Sequence, residues 1–343
     1  MKNQIKIFSK LATKNENILF SPISFNSILA VLSEVAISDT KEKLKIFLEK
    51  DYKEFLKQFF TKKMNEEGNA FVFSNGLWFD EKYDLNQIAK DFMRYYNMDF
   101  IRSDFTNPRF ISSSINYWVD DNTNHMIQQI VEEKDIKGSD SVLVNAVYFK
   151  SAWKDSLHRT RNIFHCINGD KNTNFIYGGA DGYLENNHAI GFSKHYTNGM
   201  QFIGILSKSD ISIEELNIEE LLASKTYKYD VSIAMPVLDF GSDLQLNEFF
   251  PVLGLEDLLT GRNMTELYTD KTPFHLSNIM QNTKIKLDEN GTEASAVTSA
   301  VILRNCAFMV KEQKEVILNK PFLFLIYDEK MQEIAFIGKV VSV

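Results

Sequence analysis

The segment that most limits what this chain can fold into is TKIKLDENGTEASAVTSAVIL, residues 283–303. It opens as a strand-like run, breaks at a turn and continues as a string of small residues without proline, a composition that can enter a sheet. Read with period two from Thr292, one face presents Thr292, Ala294, Ala296, Thr298 and Ala300. The other presents Glu293, Ser295, Val297, Ser299 and Val301. The first face is compact and never charged, which suits a strand that must pass over a packed core. The chain then turns polar at Arg304 and Asn305 and runs through KEQKE to another strand. Taken alone, the segment reads first as an ordinary half-buried strand with a loop after it.

The rest of the chain supplies a large core. Of its 343 residues 44% are hydrophobic and 27 are Phe, which excludes a disordered or fibrous protein. No internal repeat or low-complexity tract appears, and six prolines build no linker, so a single domain over residues 1–343 is expected. Phe25, Ile28, Leu29, Leu32 and Val35 recur at helix spacing after SPIS, and Leu44, Phe47 and Leu48 follow. Residues 51–64 read as a short amphipathic helix, with further helical stretches at 85–96, 111–131, 212–222 and 246–259. Strand signals lie at 71–79, 140–153, 202–207, 230–237, 322–327 and 334–341. Helices early and strands late argue for α+β with large, mainly antiparallel sheets.

Several function classes drop out. A net charge of −8 repels nucleic-acid phosphates and anionic headgroups, so neither nucleic acid nor membrane is expected as a partner. The first residues lack the apolar run of a signal peptide, and no stretch is apolar enough to span a bilayer, so a soluble protein, cytoplasmic or otherwise leaderless, is expected, with secretion after removal of a leader as the alternative. Its only cysteines, Cys166 and Cys306, are far apart and suggest reduced thiols. No GxSxG, HExxH, P-loop or GxGxxG motif occurs, so an enzyme has no supporting constellation and no cofactor is expected. YGGADG (177–182) reads as a surface turn. His158, His165 and Cys166 fit no metal spacing and read as hydrogen-bonded structural residues. Lys53, Lys57, Lys62 and Lys63 are interrupted by Asp51 and Glu54 and read as a solvated helix face.

Five motifs, in order, carry a resemblance. These are ILFSPISF (18–25), NYWVDDNTNHMI (116–127), LVNAVYFKSAW (143–153), DENGTEASAVTSA (288–300) and NKPFLFLIYDEKMQEIAFIGKVV (319–341). Over essentially its whole length the chain resembles the serpin family, in its early strand and helix start, helix F motif, central strand, loop hinge and C-terminal strand pair. The resemblance implies three β-sheets, about eight or nine helices and an exposed reactive-centre loop at about residues 289–318. It assigns the hinge to Glu289, Gly291, Thr292, Glu293, Ala294, Ser295, Ala296, Val297 and Thr298. It assigns the shutter and breach under the sheet to Ser21, Asn145, Trp153 and Gln281. Departures accompany it. The chain is trimmed at the first helix and around residues 50–70; Gln281 replaces a family histidine and is expected to bridge to Asn145 or Ser21. The usual basic partner of Glu289 aligns near Val237, leaving that ion pair in doubt. His125 and Met126 stand where Gly and Lys are typical, and a loosened sheet top is expected.

The implied activity is suicide inhibition: a target protease forms a covalent acyl complex at a bait bond, and the cleaved loop inserts into the central sheet. Counted at the family's usual hinge length from Glu289, the residue before the cut is Asn305, followed by Cys306; a hinge one residue shorter places Arg304 there. Arg304 is favoured, because the acidic pocket of trypsin-like proteases binds arginine by a charge-assisted pair, whereas Asn305 would suit an asparagine-specific or cysteine protease. A non-inhibitory carrier or folding helper of the same fold is the alternative. A monomer is expected. Two sequons, Asn290-Gly291-Thr292 and Asn263-Met264-Thr265, are expected to be unmodified in a working inhibitor, since a glycan on Asn290 would obstruct the hinge. In the uncut chain Thr292 is expected to start an exposed loop.

Overall fold

The computed structural model describes the chain except residues 14, 50, 53, 56, 58–69, 96–97, 124, 211, 275–278 and 293–310. Among the described residues sixteen strands form three sheets, accompanied by nine α-helices. The helix read at 51–64 falls largely outside them.

The helices are α1 (Lys2–Leu11), α2 (Pro22–Val35), α3 (Ser38–Leu48), α4 (Gln87–Tyr95), α5 (Pro108–Asn122), α6 (Glu133–Ile136), α7 (Ile218–Ala223), α8 (Phe250–Leu253) and α9 (Asp257–Thr260). The first helix is therefore present. Pro22 opens α2 after an extended Ser21, where its missing N–H costs nothing, and the helix is buried on almost every side. Residues 246–259 break into pieces because Gly254 and Gly261 take left-handed conformations that end α8 and α9.

The largest sheet runs β11 (Leu238–Gln245), β12 (Ile279–Asp288), β13 (Gly291–Thr292), β4 (Ser141–Ala152), β2 (Ala70–Asp80) and β3 (Met98–Ser103). A second six-stranded sheet runs β1 (Ile18–Phe20), β16 (Glu333–Val340), β15 (Phe322–Asp328), β9 (Gln201–Ser207), β8 (Ala189–His195) and β7 (Gly182–Glu185). The third has four strands, β14 (Gln313–Ile317), β10 (Asp230–Pro236), β6 (Gly169–Ala180) and β5 (His158–Cys166). The YGGADG segment is a corner rather than a surface turn. Gly178 and Gly179 are paired within β6, which closes at Ala180, and Gly182 opens β7; a Cβ on Gly178 would sit 2.8 Å from Leu157, so the glycine admits a packed neighbour.

Two cores flank the large sheet. The main one joins α1, α2 and the two larger sheets through Phe8, Phe20, Leu29, Phe71, Phe149 and Phe336. On the opposite face Ile111, Ile115 and Val119 of α5 lie on Trp78, Val144 and Met280. The helix expected to continue to residue 131 stops at Asn122. Beyond it His125 takes φ +62°, and the carboxamide oxygen of Asn116 accepts hydrogen bonds from the amides of Ile130 (2.8 Å) and Val131 (3.1 Å). A half-buried polar side chain thus folds the segment back along the helix.

Candidate functional site

The hinge begins where the large sheet parts. Residues Ile279–Thr283 of β12 pair in parallel with Leu143–Val147 of β4, and higher up the two-residue β13 sits between the same strands. Gly291 and Thr292 pair antiparallel with Asp288 and Leu287 on one side and with Ala152 and Ser151 on the other. Thr292 is fully buried, and its Oγ1 lies 2.7 Å from the Tyr196 hydroxyl. The expectation of an exposed Thr292 is overturned. The chain turns back at Glu289–Asn290, and the groove between β12 and β4 offers main-chain partners that the next two residues take. The expected loop of 289–318 is narrower too, since Gln313–Ile317 forms β14, parallel to β10.

Only glycine can occupy position 291. Its φ is +145°, and a Cβ there would approach Ser151 O to 2.3 Å and Ala152 Cα to 2.7 Å. The turn is pinned from the sheet below: Trp153 Nε1 donates to Asp288 O (2.9 Å) and the Trp153 amide to Asn290 O (2.8 Å). The Trp153 ring stacks on Tyr196 at 4.4 Å and 10°. Burial pushes the Tyr196 hydroxyl far above the ordinary tyrosine range, so it remains a neutral partner for Thr292. Close by, Lys194 is buried and donates to Gly179 O (2.9 Å). Burial lowers its pKa against the pull of Asp181 and Asp155.

Glu289 has a basic partner after all, supplied by another strand: Arg159 of β5 lies 2.5 Å from it and 3.9 Å from Asp288. The hydrogen bond to Glu289, then its charge, raises the Arg159 pKa. No local pattern flags Arg159, because the pair closes over 130 residues.

Lower down, the polar residues beneath the sheet form one network. Gln281 accepts from the Ser21 amide (2.8 Å), donates to Ser21 O (3.0 Å) and reaches Asn145 Oδ1 (3.4 Å). Asn145 Nδ2 donates to Asn75 (2.9 Å) and its Oδ1 accepts from Ser24. Asn75 Nδ2 donates to Ser27 (3.2 Å). All six are buried. Ser24, Ser27 and Asn75 escape the sequence reading, although a polar residue inside an apolar helix or strand is the available signal. Residues Glu293, Ala294, Ser295, Ala296, Val297, Thr298, Arg304, Asn305 and Cys306 lie outside the described residues.

The family model described as serpin (serine protease inhibitor) matches residues 3–343. The chain belongs to the serpin family. It is 26% identical to Serpin-Z3 of Arabidopsis thaliana over 384 residues, covering 100% of this chain and 97% of that protein. A serpin-like protein of Methanosarcina acetivorans is 29% identical, with 98% and 83% covered. Among solved structures, the native thermophilic serpin tengpin superposes with a TM-score of 0.88 at 28% identity, covering 99% and 92%. Family and fold support a serpin-type protease inhibitor, whose partner is a protease. Among the described residues no helix is long and apolar enough to cross a membrane.

Proposed function

We propose that this serpin traps a trypsin-like serine protease that cuts after Arg304. The observation carrying the reading is β13, with hinge residues Gly291 and Thr292 already paired between β12 and β4 at the place where a longer strand would grow. The protease serine attacks the Arg304 carbonyl and the amine of Asn305 leaves, giving an ester that water would normally hydrolyse. Once the bond is cut, the segment beyond Thr292 is free to extend β13 downward. Each added residue contributes on the order of 1 kcal/mol of net pairing. Strand geometry converts a dozen residues into a displacement on the order of 40 Å, and insertion competes with deacylation.

Mixing the protein with a small protease panel tests this. The expected result is an SDS-resistant complex with a trypsin-like protease, cleavage mapped after Arg304, and loss of the complex in Arg304→Ala without a change in fold. Retained complex in that variant, with cleavage after Asn305, would transfer the reading to an asparagine-specific protease. Cleavage with no covalent complex from any protease would overturn inhibition.

A further inference from the structure

Asn290 and Gly291 form a dipeptide prone to intramolecular cyclisation, and it lies in the turn that starts the hinge. We propose that Asn290 is a spontaneous deamidation site that limits the working life of the uncut inhibitor. The functional part of this proposal rests on the inhibitory reading; the chemical part does not.

The step balances with water alone. The Gly291 amide nitrogen attacks Cγ of Asn290, the N–Cγ bond forms, the Cγ–Nδ2 bond breaks, and ammonia leaves with the amide proton. Water then opens the cyclic imide. Scission at Cγ gives aspartate, and scission at the former backbone carbonyl gives isoaspartate.

The chain contains four Asn-Gly pairs, at 75, 168, 198 and 290, and the structure separates them. Asn75 is 3% exposed, and its carboxamide bonds to Ser27 and Asn145. Asn198 Oδ1 accepts from the Met200 amide at 3.0 Å. Asn168 and Asn290 stand in turns, and among the described residues neither carboxamide is tied to a partner. Asn168 lies at the β5–β6 turn, away from the hinge. At Asn290 the main chain is anchored instead, the amide on Asp288 Oδ1 (2.8 Å) and the carbonyl on the Trp153 amide (2.8 Å). The labile partner cannot be exchanged, because a side chain at 291 would collide with β4.

The product matters at this position. Aspartate adds a third carboxylate beside Asp288 and Glu289, where Arg159 is the cation. Isoaspartate inserts a carbon into the main chain just before Gly291. The pairing of Gly291 and Thr292 with Ala152 and Ser151 then slips, and Thr292 leaves Tyr196.

The test incubates uncut protein in mildly alkaline buffer at physiological temperature and follows peptide mass, isoaspartate content and inhibition stoichiometry together. Conversion is expected at 168 and 290 and not at 75, with the stoichiometry rising in step with 290 alone. Asn290→Gln, whose longer side chain cyclises far more slowly, should hold its stoichiometry through the same incubation. Asn168→Gln should age like the parent. Conversion at 168 with 290 still amide would overturn the site, and full conversion at 290 with unchanged stoichiometry would overturn its consequence. Loss of covalent complex in every sample from the outset would instead strike the inhibitory reading, leaving the mass result to stand or fall separately.

Discussion

Thr292 shows how one buried hydroxyl fixes the resting position of the hinge. Its bond to Tyr196 is isolated from water, so removing one partner leaves the other unsatisfied, at about 1–3 kcal/mol. Thr292→Val and Tyr196→Phe are each expected to destabilise the uncut protein by that amount, while the double variant regains most of it. A urea-unfolding cycle with additive losses would show that the two groups are not coupled. Thr292→Arg, harmless on an exposed loop, is now expected to push β13 out of the sheet in the uncut state, read as faster hydrogen exchange at the Trp153 amide. Asp257 gives a separate pH signature. Its hydrogen bond from Lys43 (2.8 Å), against opposing burial and aided by Thr40, holds its pKa below the ordinary 3.8. A carboxylate depressed in the folded state contributes stability above its unfolded pKa and loses it as pH falls through the folded one. Asp257→Asn should therefore be less stable than the parent near neutrality, with the gap closing below about pH 4. A gap independent of pH would remove the ion pair as its cause.

At the scale of elements, β12 and α2 are joined by Gln281 as much as by apolar packing. Gln281→Leu keeps the volume but strands the Ser21 amide, while the Ser21 carbonyl loses one donor and keeps the Phe25 amide, at about 1–3 kcal/mol. The denaturant midpoint should fall at unchanged slope; a midpoint equal to the parent's would mean that water replaces the carboxamide. Much of this architecture is legible in sequence. The period-3.6 run of Phe25 to Val35 and the apolar strands at 141–152 and 322–340 announce themselves because burial on one or both faces leaves a repeating mark. The strands β5, β7 and β11 do not, because β5 and β11 are largely exposed and β7 is only four residues long. The site divides in the same way. Ser21, Asn145, Trp153 and Gln281 follow from motifs, but Arg159 and Tyr196 meet the hinge only through tertiary contacts that no spacing encodes. The seating of Gly291 and Thr292 is likewise invisible, since a strand of two residues has no period.

For the whole molecule, the proposed mechanism requires an uncut fold that is kinetically rather than thermodynamically favoured. Clean cleavage between residues 300 and 308 should raise the thermal midpoint by tens of degrees, as a full strand joins the large sheet; an unchanged melting curve would remove the inhibitory reading. The two paired residues of β13 also bear on speed. Starting a new strand ordinarily demands that a loop be closed and the first residues be fixed before pairing offsets the loss, a nucleation step. Here the uncut chain stands past that step, with Gly291 and Thr292 engaged on both sides. What remains after cleavage is propagation, like a zip whose first teeth already mesh, advancing one residue at a time along a track whose width is set. A free peptide copied from the loop meets the opposite situation: the top of the track is taken, so it must begin below Thr292 and nucleate without a tether.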